Sequence, residues 1–344
     1  MNKIIKWGII GLGNAAINLA KTFSQISNSQ LIAVASKTDH KRNFFYREFE
    51  IEKKNIYDNY EDILNNPNVD IVFISLPHTL HKEWCIKAAI KKKNILVEKP
   101  AALSLKDIKE ILSHVKSNNV FFSEGLAYKF HPFFKEILTV LKNTKLQDIA
   151  SIRGSFGNDA LGGKKFFGFR FKRAKKSKRL FNPELAGGAI WDAGCYPVSI
   201  ITEIISCLNQ GGSIKPKILE ISQNIGSTGV DEHSSIKLKF GNILVSIETS
   251  LVDSLPNNIE VELVNGKIII NNPWFPSSES YIETITNSNK KIIKCKNKFD
   301  SYESEIQSIS SFLLNNDNNK LEHPLLTHKN ILENIEILEL WSKN

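Results

Sequence analysis

The strongest constraint on this chain lies near its start. An apolar run at 3–10 meets Gly11-Leu12-Gly13-Asn14-Ala15-Ala16, and a helical pattern follows to Ile26. A strand, then G-x-G-x-x-A, then a helix is the order that lays a pyrophosphate on a helix N-terminus. Gly11 permits the tight turn, Gly13 the close approach of a pyrophosphate, and Ala16 the close packing of helix on strand. The amides of Asn14, Ala15 and Ala16 supply donors there, with the positive end of the helix dipole behind them. The bare motif is weak. Its place between a strand and a helix gives it weight.

Such a fingerprint also says what should end the second strand, Leu31 to Ala35. An acid there grips the ribose 2′-hydroxyl of NAD. The chain has Ser36-Lys37-Thr38 instead. A hydroxyl and a cation suit a 2′-phosphate, so the reading is NADP. Asp39 follows closely and keeps NAD open. The plainer account of Lys37 is a solvated side chain.

Alternation continues with helices at 41–48 and 60–65, a strand at 69–76, a helix at 80–92, a strand at 94–97, a helix at 104–117 and a strand at 120–123. Ser104 is the expected N-cap of its helix, with Asp107 in a box-like position. Regular alternation predicts a doubly wound parallel sheet whose ligands sit outside the carboxyl ends of the strands. Two loops at that edge stand out. Leu76-Pro77-His78-Thr79-Leu80-His81 is placed to line the nicotinamide end of a cofactor. His78 and His81 are either contacts there or plain loop and capping histidines. Glu98-Lys99-Pro100 ends the next strand. Pro100 fixes its own φ and biases Lys99 away from the helical region, a rigid mount for a positive charge. Taken alone, the tripeptide reads as a surface lysine in an ordinary loop.

After Ser123-Glu124-Gly125 the character shifts. A helix is expected at 128–142 and a strand at 147–156, followed by a stretch rich in glycine, aromatics and lysine to Arg179. Its basic part, Lys172 to Arg179, is either a solvated loop or a flap that meets substrate phosphates. Gly187-Gly188 then hands over to a helix running to about Cys207. Asp192 and Tyr196 are four apart, on one face of it. A neighbouring Lys⁺ would lower a Tyr pKa from its usual ~10, so Lys, Tyr and Asp in one crevice make a proton-relay set. An Asp–Tyr pair alone is more often structural. From 217 to 295 short strands recur, with Gly241-Asn242 and Asn265-Gly266 as hairpin signals. They predict a largely antiparallel sheet. Helices at 301–315 and 327–342 end the chain, after a polar loop at 315–319.

Composition bounds the alternatives. The 344 residues, 42% hydrophobic and 24% charged, suit a globular chain of two domains. No apolar run approaches the ~20 residues of a membrane span. Gly8, Gly11 and Gly13 break the N-terminal run, which argues against a signal peptide. Cys85, Cys195, Cys207 and Cys295 are far apart, as in reduced thiols of a cytoplasmic protein. No metal-ligand cluster is visible. The net charge of +9 suits anionic ligands, but abundant Lys, Asn and Ile account for most of it. No nucleic-acid module accompanies it.

Taken in order, Gly11-x-Gly13-x-x-Ala16, Glu98-Lys99-Pro100, Tyr128-x-Phe130-His131-Pro132 and Gly187-Gly188-x-x-x-Asp192-x-Gly194-x-Tyr196-Pro197 resemble the glucose–fructose oxidoreductase / inositol dehydrogenase (Gfo/Idh/MocA) family over nearly the whole chain. The resemblance implies an N-terminal Rossmann domain, residues 1–124, and a C-terminal α+β domain, residues 125–344. The second has a largely antiparallel open sheet for substrate and for oligomerisation. It implies a homo-oligomer, dimer or tetramer, with a sugar-like substrate. The activity implied is hydride transfer between NADP or NAD and a secondary alcohol or carbonyl of a sugar, sugar derivative or cyclic diol. Leu76, Pro77, His78, His81, Glu98 and Lys99 then line the cofactor. Lys99 binds the reacting oxygen, Tyr196 moves the proton, and Asp192 orients the substrate. Tyrosine at 196 is similar to the dihydrodiol dehydrogenase, aldose dehydrogenase and sugar ketoreductase branch, where the inositol branch has histidine. Two features depart from the family: His78 replaces a common Asn, and Ala186-Gly187-Gly188-Ala189 replaces a run of three glycines. Other readings are a nucleotide-sugar enzyme of surface-polysaccharide synthesis, a non-catalytic NAD(P)-sensing regulator, and a glycosidase-like use of tightly held NAD.

Overall fold

A computed structural model describes residues 3–162, 165–166, 169–170, 174–210, 212–286, 289–296, 300–315 and 320–343. The first half forms β1 (Ile5–Ile10), α1 (Asn14–Thr22), β2 (Ser29–Ala35), α2 (Asp39–Glu48), β3 (Ile56–Tyr57), α3 (Tyr60–Asn65), β4 (Ile71–Ile74), α4 (His81–Ile90), β5 (Asn94–Glu98), α5 (Leu105–Asn118) and β6 (Phe122–Gly125). The strands lie in the order β3-β2-β1-β4-β5-β6, every neighbour parallel. The winding reverses between β1 and β4, which opens a crevice at their carboxyl ends. β4 is an unbroken apolar run because both faces of the sheet are covered, and all four of its residues are fully buried. The expected cap is present: Asp107 N–H donates to Ser104 Oγ at 3.1 Å. The expected long first helix stops at Thr22 and gives way to a 3₁₀ turn, Phe23–Gln25.

The second sheet follows α6 (Pro132–Lys142). It comprises β7 (Ile149–Gly157) and, after the short pair β8 (Lys165–Phe166) and β9 (Phe169–Arg170) and the helix α7 (Cys195–Leu208), seven further strands. These are β10 (Pro216–Ile225), β11 (Asp231–Phe240), β12 (Ile243–Ser250), β13 (Asn258–Leu263), β14 (Gly266–Asn271), β15 (Tyr281–Thr286) and β16 (Asn289–Lys294). Their order is β10-β11-β12-β7-β13-β14-β15-β16; β12 and β7 pair in parallel, the other neighbours antiparallel. Ile152, Ile236, Val245, Ile247 and Val261 are buried, while Arg153, Lys237, Leu244 and Lys239 alternate with them on the open face. α7 lies on the inner face. A Cβ on Gly154 would meet Ile201 Cδ1 at 3.0 Å and Pro197 at 3.1 Å, so glycine lets the helix approach the strand.

Two local expectations shift. The helix expected from 128 starts at Pro132, and Ala127–Phe130 is a 3₁₀ turn. Proline lacks an N–H, so it opens a helix more readily than it continues one. The β13–β14 turn falls at Val264-Asn265, because Leu263 pairs with Gly266. Gly266 belongs to the strand, where a Cβ would strike Ile285 O at 2.0 Å. The Gly241 turn stands where expected, with φ +58°.

After the second sheet, α8 (Ser301–Leu314) buries Ile306 and Ile309 with Trp7, Ile9, Leu19 and Phe130. Trp7 Nε1 donates to Ser310 Oγ at 3.0 Å. The last helix is α9 (His328–Ser342). Contacts therefore gather Met1–His131 with Phe299–Leu332 as one unit, and Pro132–Lys298 with Glu333–Asn344 as another. That division differs from a single cut after residue 124. Lys172 and Arg173 of the expected basic run, and residues 316–319, lie outside the described residues. Among the described residues no helix is long and apolar enough to cross a membrane.

Candidate active site

In the first unit the glycine fingerprint forms a cradle at the carboxyl ends of the strands. Gly11 has φ +87°, and a Cβ there would lie 2.4 Å from Ser75 O and 2.8 Å from Leu76 Cδ2. A Cβ on Gly13 would meet nothing within 4 Å, so this residue leaves open space above the α1 N-terminus. Among the described residues no side-chain cap is present at that end, which begins with exposed Asn14 and half-buried Ala15. Ala16 is fully buried against the sheet. An open step beside uncapped amides fits a dinucleotide pyrophosphate.

At the end of β2, Ser36 is 4% exposed and its Oγ accepts the Thr38 N–H at 3.2 Å. Lys37 is exposed, with its Nζ 5.7 Å from the Tyr60 ring centre. Arg42 donates from Nη1 to Ser36 O at 2.6 Å and from Nη2 to Asp39 Oδ1 at 3.0 Å. Asn43 takes the other Asp39 oxygen at 2.9 Å. Asp39, the acid that kept NAD open, is thus engaged by its own helix. Arg42 was not foreseen, although its spacing of three from Asp39 on a helix was a usable signal.

The loops after β4 and β5 are tied together. His81 is fully buried, and its ring nitrogens lie 2.9 Å from Pro100 O and 2.9 Å from Leu76 O. His81 is therefore a strut between two strand ends rather than a free lining group. His78 is buried beside it, ring centres 5.6 Å apart, and Pro77 is half-buried. The Lys99–Pro100 peptide is cis. Lys99 N–H donates to Glu98 Oε2 at 3.2 Å, and Ala101 N–H to Glu124 Oε1 at 2.8 Å. Burial pushes the Glu124 carboxyl up to about 7, against the pull of the Ala101 amide and of the Lys129 and Lys99 ammoniums.

In the second unit Asp192 and Tyr196 stand at a change of helical pitch. Ile190–Gly194 is a π turn that runs into α7, so the two do not share one uniform α-helical face. Arg179 Nη2 donates to Asp192 Oδ1 at 2.5 Å. Gly188, at φ +123°, has no room for a Cβ, which would lie 2.0 Å from Asp231 Oδ1. Asp231 accepts the Ile190 N–H at 2.8 Å and so caps the turn from a distant strand. Burial raises its carboxyl to about 6, and the Ile190 and Ala189 amides oppose that rise. Tyr196 packs against Phe156, Phe275 and Trp274, ring centres 5.1, 5.3 and 6.3 Å away. These aromatic neighbours were also unforeseen; Pro273-Trp274-Phe275-Pro276, a stiff aromatic loop, was the signal for two of them. Among the described residues no group of three or more His, Cys, Asp or Glu is placed to hold a metal ion.

Residues 5–126 match an oxidoreductase family with a NAD-binding Rossmann fold. The chain is 27% identical over 277 residues to trans-1,2-dihydrobenzene-1,2-diol dehydrogenase of Xenopus tropicalis, covering 79% of this chain and 77% of that one. The Mus musculus protein of the same name is 27% identical over 290 residues, covering 83% and 79%. Among solved structures, a 3-ketoreductase from Actinomadura kijaniata, crystallised with NADP and TDP-benzene, superposes with a TM-score of 0.83 at 16% identity, over 98% of this chain and 96% of its own. An aldose–aldose oxidoreductase from Caulobacter crescentus gives a TM-score of 0.81 at 18% identity, over 99% and 97%. At those identities the structural likeness is one of fold.

Proposed function

We propose that this chain, whose residues 5–126 match an oxidoreductase family with a NAD-binding Rossmann fold, transfers hydride between a nicotinamide dinucleotide and a secondary alcohol or carbonyl of a sugar, sugar derivative or cyclic diol. The first unit takes the dinucleotide and the second the substrate. The observation that carries this proposal is the mount of Lys99. Its half-buried side chain stands at the carboxyl end of a central parallel strand, in a loop held by His81 on one side and Glu124 on the other. A lysine that served only solubility would need neither clamp.

When bound, the cofactor supplies the hydride. Lys99 holds the reacting oxygen and stabilises negative charge on it. Tyr196 gives the substrate oxygen its proton in reduction and takes it back in oxidation. Asp192, paired with Arg179, orients substrate hydroxyls. Buried Phe156 and Trp274 brace the Tyr196 ring, and exposed Phe275 offers the substrate an apolar surface beside the phenol.

NADP is the preferred cofactor. Ser36, Lys37 and Arg42 offer a hydroxyl and two cations where a 2′-phosphate would sit, and Asp39 is already taken. His81 enters as a strut and His78 as the lining side chain. The four cysteines are thiols, which suits a reducing compartment, so the cytoplasm is proposed, with a homo-oligomer as the working state. A panel of dihydrodiols, free aldoses and nucleotide sugars, with NADP or NAD and followed by absorbance of the reduced nicotinamide, tests the proposal. Turnover with none of the three classes would overturn it. Turnover confined to nucleotide sugars would favour the reading of surface-polysaccharide synthesis.

A further inference from the structure

The scheme above uses Glu124 only as an anchor. Glu124 stands on β6 opposite Val97 of β5 and is 2% exposed. Its Oε1 accepts the amide of Ala101, two residues beyond Lys99. Its Oε2 is buried, with no hydrogen-bond partner among the described residues. A buried carboxylate oxygen is costly to leave so, and a fold keeps one where it has work to do. The charged groups that face it are Lys129, from the 3₁₀ turn before α6, and Lys99 and Glu98 at the end of β5. Glu305 of α8 is fully buried, neither carboxylate oxygen has a hydrogen-bond partner among the described residues, and it faces Glu98 in turn. Three carboxylates and two ammoniums therefore share one buried region of the first unit.

We propose that Glu124 is the positioning residue of Lys99: Oε1 fixes the loop through Ala101, and Oε2, when ionised, draws on the Lys99 ammonium and sets the charge it presents to the substrate oxygen. The catalytic consequence rests on the function proposed above; the coupling between the two side chains does not. Protonating Glu124 removes the pull on Lys99. The carboxyl titrates at about 7, so the two states exchange in the neutral range.

Glu124→Gln keeps the size and the acceptor for Ala101 N–H and removes the charge. Glu124→Ala removes both. The first readout needs no substrate: acylation of Lys99 in the full chain by an amine reagent at mildly alkaline pH, followed by mass spectrometry. Loss of a neighbouring negative charge lowers an ammonium's pKa, so Lys99 should react about threefold faster or more in Glu124→Gln. The second readout is the pH profile of kcat. An inflection near pH 7 in the natural chain should vanish in Glu124→Gln, with the KM for cofactor within about twofold. A melting temperature near that of the natural chain secures the Gln variant even if the Ala variant does not fold. Unchanged Lys99 labelling in Glu124→Gln overturns the proposal whatever the activity does. Faster labelling with an unchanged pH profile overturns its catalytic half. Faster labelling together with a fully active Lys99→Met supports the coupling and removes the redox role of Lys99 instead.

Discussion

The guanidinium of Arg179 donates to the carboxylate of Asp192 at 2.5 Å, with the two side chains 37% and 18% exposed. Arg179 closes a basic run that reads in sequence as a solvated loop, yet it engages an acid in the π turn before α7. Partial burial makes the pair less screened than a surface pair. Arg179→Ala should lower kcat about tenfold by releasing Asp192, and Arg179→Lys should recover only part, because a lysine lacks the planar fork. Steady-state kinetics on an accepted substrate decide this; an unchanged kcat in Arg179→Ala would remove the pair from the mechanism.

Lys99→Met should lower kcat by about 10²–10³-fold while cofactor affinity stays within about threefold, the cost of losing an oxyanion partner. Tyr196→Phe should cost a similar factor through the lost proton donor. If both groups serve one oxygen, the double variant should be little worse than the worse single one. Full additivity of the two losses would argue that the side chains act separately.

Gly11 and Gly13 should respond in opposite ways to alanine. Gly11→Ala forces a Cβ to 2.4 Å from Ser75 O at φ +87°, so it should destabilise the fold by roughly 2 kcal/mol or more. Gly13→Ala meets open space at an extended backbone, so thermal melts should barely move. Its effect should appear in cofactor titration, as about tenfold weaker binding. Equal cofactor affinity in Gly13→Ala would contradict a pyrophosphate at that step.

Arg42→Ala should raise the KM for NADPH about tenfold and leave that for NADH nearly unchanged, since the lost cation matters only where a 2′-phosphate is present. Parallel kinetics with the two cofactors measure this. A matched rise for both would mean that Arg42 merely braces the Ser36 turn.

Two buried groups should give stability opposing slopes in one pH window, between about 4 and 7. Glu124 rises from 4.5 to about 7 on folding, so its contribution is present below pH 4.5 and is lost as pH climbs through 7. Its full ionisation costs about 3 kcal/mol. His323, packed between the Phe130 and Phe312 rings, is lowered by burial from 6.5 to about 4. Its contribution is present above pH 6.5 and is lost as pH falls through 4, again by about 3 kcal/mol. Urea denaturation between pH 4 and 7 should show stability rising more steeply with pH in Glu124→Gln, where only His323 titrates, and falling with pH in His323→Gln, where only Glu124 does. Superimposable curves for variant and natural chain would refute the assignment.

Local physics was legible before any coordinates. Glycines at 11 and 13, the four-residue apolar core of β4, the Ser104 cap and the limits of α3 all depend on near neighbours in the chain, so period and turn chemistry suffice to read them. Lys99 and Tyr196 stood out for the same reason, each in a short stretch whose breakers restrict the backbone.

What surrounds those two side chains was decided by tertiary structure alone. β7 lies between β12 and β13, roughly a hundred residues later, and α8 returns to bury Ile306 beside Trp7. The Glu124 carboxylate meets Ala101 only because β6 pairs with β5, and Asp231 caps Ile190 only because β11 begins beside that turn. Hydrophobic period chooses the face a residue turns inward, but not the distant partner it finds there. That choice belongs to strand pairing and burial, where an acid's charge and bonding depend on neighbours that sequence distance conceals.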